Sequence, residues 1–299
     1  MTDIHTGSFA AWSRELADLV ERGAEGLVRV NARRRVPASG VLWAAGTVVT
    51  ADHVLERDED ITVTLPSGQH VPATIAGRDP RSDLAVLRID QGGGAPARLP
   101  SASIVKVGNL VLALGRAGET TSATFGMVSS VESASRGAPY GCVRAELTML
   151  PGFSGGPLLD AAGGVVGING SRLGGGAHLA IPTAGVQSVV DALLKSGKIK
   201  RAFLGLTSQQ VPLPPTMAAK LGRQQESGLI TMTIETGSPA EKAGLLPGDI
   251  VVALGGQPVR DAEELQEILG SDRVGVATSL TVLRGGEVQE LSVTPAERA

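Results

Sequence analysis

One serine in this 299-residue chain sits in a setting suited to nucleophilic chemistry. Ser154 lies in the run PGFSGGPL, residues 151–158, with Gly152 two positions before it and Gly155 and Gly156 after it. A nucleophilic hydroxyl needs an accessible Oγ and backbone N–H groups aimed at the developing oxyanion. Flanking glycines permit a tight turn and close approach of a substrate backbone. An ordinary glycine-rich turn would look the same, and the chain has 40 glycines. The partner groups must therefore decide.

The run also satisfies the nucleophile elbow of an α/β hydrolase. That motif requires a strand–turn–helix setting and the chain order serine, acid, histidine. Here Pro157 and a second apolar, strand-like run follow the serine. Downstream, the only histidine is His178, and the only acid before it is Asp160. The elbow does not fit.

The order histidine, aspartate, serine does. Of four histidines, His5 is in the N-terminal tail and His70 in a turn-rich polar stretch. His53 follows the apolar strand-like run GTVVTAD. Asp83 opens the strongly apolar run DLAVLRI, which suits a buried carboxylate held against an imidazole. Such a carboxylate fixes the imidazole tautomer and stabilises the imidazolium. Asp79 is the next candidate, but it precedes Pro80 and reads as a turn residue. Asp52 adjoins His53 and would point away from it in an extended segment. The expected triad is His53, Asp83 and Ser154.

The elements that must position these groups are short strands. Apolar runs at residues 27–30, 47–50, 61–65, 84–89, 110–114, 125–131 and 165–168 are separated by glycine and proline turns. This pattern predicts a mainly β fold, a barrel or sandwich. Helical spacing occurs at two places in the first two thirds. Phe9, Trp12, Leu16, Leu19 and Val20 recur over residues 8–21, and Val186, Val189, Val190, Leu193 and Leu194 form a face that ends at Gly197. The charged stretch 198–201 is the expected domain boundary, giving a helical segment 1–26, a catalytic domain 27–198 and a small domain 199–299.

Composition narrows the function classes. Net charge is −3, which gives no basic excess for nucleic acid or an anionic membrane. The cluster Arg33, Arg34 and Arg35 reads as a solvated loop. Aromatic residues make up only 2%, so Val, Leu, Ile and Ala must fill the core. Cys142 is the sole cysteine; it excludes an intrachain disulfide and reads as a buried small apolar residue. No cluster has metal-ligand spacing, so neither metal nor cofactor is expected. No apolar run is long enough for a membrane span, and the N-terminal segment lacks a signal-peptide pattern, so the expected location is the cytoplasm.

Three motifs, TADHV at 50–54, DPRSDLAVL at 79–87 and GFSGGPL at 152–158, resemble those of HtrA/Deg-type serine proteases. The block LAIPT at 179–183, with the helix behind it, resembles the end of that family's protease domain. The resemblance implies a chymotrypsin-like double β-barrel followed by a PDZ domain. His53 and Asp83 would come from the first barrel and Ser154 from the second, with the Gly152 and Ser154 amides as oxyanion hole. Asn169, Gly170, Ser171 and Arg172 would lie beside the substrate backbone, and residues 173–179 near the pocket for the residue before the scissile bond (P1). No acidic residue occurs in 169–179, which argues against a pocket for Arg or Lys at P1; the resemblance implies a small aliphatic P1 side chain. One departure stands out: the family usually has Asn before the nucleophile, and this chain has Phe153.

Residues 235–251, ETGSPAEKAGLLPGDIV, resemble the PDZ signature of these proteases. Ser238 and Pro239 suit a helix start, Gly244 its end, and residues 261–269 a second helix. By resemblance, Phe203, Leu204, Gly205 and Leu206 form a carboxylate-binding loop, and Leu265 and Ile268 wall a groove for peptide C-termini. The implied activity is ATP-independent cleavage of unfolded or damaged polypeptides. Phe9 and Trp12 would supply a homotrimer contact or pack in the core. The competing reading is a catalytically silent peptide-binding or chaperone module, motivated by Phe153.

Overall fold

Short aliphatic runs punctuated by glycine build two closed antiparallel barrels, and closure leaves no strand edge exposed in them. The computed structural model describes residues 6–90, 94–99, 105–133, 140–170, 179–199, 202–270 and 273–297. The chain folds as two compact units, Met1–Lys198 and Ile199–Ala299.

Helix α1 (Thr6–Ala24) precedes the first barrel. That barrel comprises β1 (Leu27–Asn31), β2 (Ala38–Ala44), β3 (Thr47–Ala51), β4 (Ile61–Thr64), β5 (His70–Asp79) and β6 (Leu84–Ile89), joined in the order β1-β2-β3-β6-β5-β4. Val28, Val30, Leu42, Val48, Val63 and Leu87 are among the side chains that fill it. His70 is a correction to the turn reading: it begins the ten-residue strand β5, paired with Thr64 and bonded to the Thr64 hydroxyl at 3.0 Å.

The second barrel comprises β7 (Leu110–Gly115), β8 (Ser122–Glu132), β9 (Cys142–Glu146), β10 (Pro157–Asp160), β11 (Val165–Gly170) and β12 (Leu179–Pro182), in the order β10-β11-β12-β9-β8-β7. Its core includes Val111, Val128, Val143, Leu158, Val166 and Phe153. Helix α2 (Thr183–Ser196) follows and buries Val186, Val189, Val190 and Leu193. It stops at Gly197, whose φ of 71° is left-handed and whose N–H bonds back to Leu193 O.

Cys142 is buried in β9, beside Glu132 at 3.4 Å. Burial, reinforced by Glu132, pushes its thiol up to about 11. A thiol so placed stays protonated at neutral pH and is no nucleophile.

The second unit is built on a sheet flanked by helices. Its elements are β13 (Ala202–Phe203), β14 (Leu206–Pro212), α3 (Pro215–Lys220), β15 (Ser227–Ile234), α4 (Pro239–Lys242), β16 (Ile250–Leu254), β17 (Gln257–Pro258), α5 (Ala262–Ile268), β18 (Thr278–Arg284), β19 (Glu287–Val293) and β20 (Ala296–Glu297). The path runs β14-β15-β16-β18-β19, with β17 paired to β16 and β13 to β20. Ser238 caps α4 by accepting from Glu241 N, and Asp261 caps α5 by accepting from the Glu263 and Glu264 amides.

Asp249 joins the turn after α4 to the sheet. Its carboxylate accepts from the Leu246 amide at 2.7 Å and pairs with both Nε and Nη2 of Arg284. Burial alone would push this carboxyl up, but the Arg284 guanidinium and the Leu246 amide outweigh it and hold it below the usual range. Its stabilising contribution is therefore fully present above the unfolded pKa of about 4 and is lost as pH falls through the lower folded value. Asp249→Asn is expected to cost about 2–3 kcal/mol at pH 7. In calorimetry of the full chain, the gap in Tm between variant and wild type should stay constant from about pH 7 to 5 and close below about pH 4.

Candidate active site

His53 is carried by a single 3₁₀ turn, Asp52–Val54, at the end of β3. Asp83 holds this turn from below. Its main-chain oxygen accepts from the Asp52 amide at 2.9 Å, and its carboxylate accepts from the His53 amide at 3.0 Å. The same carboxylate lies 2.7 and 2.9 Å from His53 Nδ1. This contact places the proton on Nδ1 and the lone pair on Nε2, the tautomer a general base needs. The Asp83 side chain is 1% exposed. Its φ is +56°, a left-handed value that Asp and Asn tolerate better than other side chains. Asp79 lies elsewhere: it ends β5 and accepts from the Arg81 amide.

Asp52 turns away from His53 and pairs with Arg78 at 2.6 Å. Arg78 also donates to the main-chain oxygens of Asp52 and Leu55, at 3.2 Å each. The guanidinium thus braces both ends of the histidine turn. Arg33 corrects the solvated-loop reading: it is half-buried and donates to His53 O at 3.4 Å, whereas Arg34 and Arg35 are exposed.

Ser154 lies in the loop between β9 and β10, and a strand follows it rather than the helix of a hydrolase elbow. Gly152 and Gly155 have φ of +87° and +84°. At Gly155 glycine is required twice over, because a Cβ would also collide with Ser39 O and Thr50 Oγ1 and lie 2.9 Å from Ala51 N. Ser154 is thereby delivered to the end of β3, the strand that runs into His53. Gly170, at the end of β11, closes the arrangement: a Cβ there would lie 3.5 Å from Asp83 Oδ2. Residues of both barrels thus meet at the His53–Asp83 pair.

Phe153 points inward. It is 1% exposed and packs in the core of the second barrel with Val111, Ala113, Leu158 and Val166. A Cβ on Gly115 would collide with the ring. The large side chain therefore anchors the loop in the second barrel.

Asn169 does not present its side chain to a substrate. It is fully buried; its N–H donates to Gly156 O, its carbonyl accepts from Gly155 N, and its Nδ2 donates to Pro157 O, all at 2.8–2.9 Å. It clamps the nucleophile loop instead. Gly170 is the other described residue of the expected substrate segment; Ser171, Arg172 and residues 173–178 lie outside the described residues. In the second unit Leu204 and Leu265 are buried in the core, while Phe203, Leu206 and Ile268 are half-buried. Gly205 has φ +80° and packs against Ser238.

Two family models match the chain: a trypsin-like peptidase domain over residues 38–168 and a PDZ domain over residues 216–294. A probable periplasmic serine endoprotease DegP-like of Pseudomonas savastanoi pv. phaseolicola is 34% identical over 256 residues, covering 83% of this chain and 53% of the relative. The chain belongs to the HtrA/Deg-type serine proteases. It spans about half the length of the curated DegP-like relatives it matches. Among solved structures, the HtrA-type protease AlgW with decapeptide superposes with a TM-score of 0.79 at 27% identity, covering 95% of this chain and 98% of the other. The serine endoprotease from Yersinia pestis gives 0.80 at 26% identity, with 95% and 98% covered. The double barrel followed by a PDZ-like unit is the HtrA-type architecture expected from the motifs. No described helix is long and apolar enough to cross a membrane. The DegP-like relatives are named periplasmic, which leaves the expected cytoplasmic location without support.

Proposed function

We propose that this chain is a serine endopeptidase that cleaves unfolded or damaged polypeptides without ATP. The observation that carries the reading is the buried Asp83 carboxylate 2.7 Å from His53 Nδ1, at the point where the nucleophile loop meets β3. Ser154 Oγ attacks the scissile carbonyl carbon while His53 Nε2 takes its proton. The amides of Gly152 and Ser154 hold the resulting oxyanion. His53 then protonates the leaving amine, and water releases the acyl group by the same route in reverse. The substrate backbone runs along Gly170, with a small aliphatic side chain at P1.

The PDZ unit binds peptide C-termini at the loop from Phe203 to Leu206, beside Ile268 on α5. The PDZ match and the peptide-bound HtrA-type neighbour support this role. Exposed Phe9 and Trp12 on α1 support a homotrimer contact.

A fluorophosphonate probe tests the reading directly. Its phosphorus bonds to Ser154 Oγ as fluoride leaves and the hydroxyl proton passes to His53. The folded full chain should be labelled at Ser154, and the Ser154→Ala variant should not. Absence of labelling in the wild type, with and without added C-terminal peptides, would overturn the enzyme in favour of a silent peptide-binding module.

A further inference from the structure

Ser39 in β2 touches the nucleophile loop twice and belongs to none of the motifs. Its amide donates to Ser154 O at 3.2 Å. Its hydroxyl donates to Gly152 O at 2.6 Å and accepts from the Arg116 amide at 2.8 Å. Its own carbonyl accepts from Thr50 Oγ1 at 2.7 Å, which ties it to β3 and so to the histidine turn. The residue is fully buried, so no water competes for these bonds. A single serine of the first barrel thus holds both residues whose amides form the proposed oxyanion hole.

We propose that Ser39 is a positioning residue for the oxyanion hole, its hydroxyl pinning the Gly152 carbonyl from the opposite barrel. This rests on the endopeptidase reading for its kinetic consequence, but not for its effect on the loop. Phe153 anchors the loop within the second barrel, over Gly115, the neighbour of Arg116. Ser39 supplies the complementary hold across the cleft. Without its hydroxyl, Gly152 O and the Arg116 amide lose their shared partner while the Ser39 amide still holds Ser154 O.

The test compares wild type, Ser39→Ala and Ser39→Cys in the full chain. Cysteine keeps the shape and hydrogen-bonds weakly. Two quantities are read: kcat and KM on an unfolded polypeptide, and amide hydrogen exchange. Both variants should lower kcat about 10²-fold with KM nearly unchanged, since a small misplacement of a catalytic group has that scale of effect. Exchange should quicken at least about tenfold at the Phe153, Gly155 and Gly156 amides and stay unchanged in β6. Unchanged loop exchange, or faster exchange spread through the whole first unit, overturns the proposal. The exchange result stands even if the wild type hydrolyses nothing, which would count against the endopeptidase reading alone.

Discussion

Ser154→Ala is expected to lower kcat/KM on an unfolded polypeptide by about 10⁶-fold. The variant removes one oxygen and leaves the scaffold intact. The bonds from Gly155 N to Asn169 O, from Gly156 N to Phe153 O and from Asn169 N to Gly156 O, which help shape the loop, are main-chain. Its Tm should therefore stay close to that of the wild type, so the loss reads as chemistry and not as unfolding. Activity within about tenfold of wild type in a purified, folded variant would remove Ser154 from the nucleophile role.

Asp83→Asn should lower kcat by about 10⁴-fold with little change in KM. The carboxylate accepts from both the amide and Nδ1 of His53, at 3.0 and 2.7 Å. With the asparagine oxygen on the His53 amide, its NH₂ takes the place of Oδ2, the atom 2.7 Å from Nδ1. Where its NH₂ faces Nδ1, the proton moves to Nε2 and the base is lost. Asparagine also tolerates the left-handed φ of +56° at this position, so the backbone need not move. Steady-state kinetics with a Tm control measure the outcome. A loss of less than about tenfold would mean that Asp83 only supports the turn.

Phe153 holds the nucleophile loop by packing. The ring is buried, and Gly115 leaves room for it. Burial of a large side chain among aliphatic neighbours anchors the turn by packing, where a polar residue would need hydrogen bonds.

The sequence by itself determined the class of fold and the set of candidate residues. Alternating apolar runs with glycine punctuation required short strands, and the order His53, Asp83, Ser154 excluded a hydrolase elbow because a strand-like run follows the serine. Local signals also marked the helix start at Ser238, since capping depends on residues a few positions apart. Tertiary structure alone decided the rest. It set Asp83, the residue the sequence favoured over Asp79, against the imidazole of His53. It turned Phe153 inward and gave Asn169 to the loop instead of the substrate. It also brought in Ser39 and Arg78, whose roles no motif marked. The reason is distance along the chain: Ser39 and Gly152 are 113 residues apart, and Arg78 and Asp52 are 26 apart. A local pattern carries the period of a strand or the chemistry of a cap; it carries no record of which buried hydroxyl or guanidinium the closing of two barrels sets beside it.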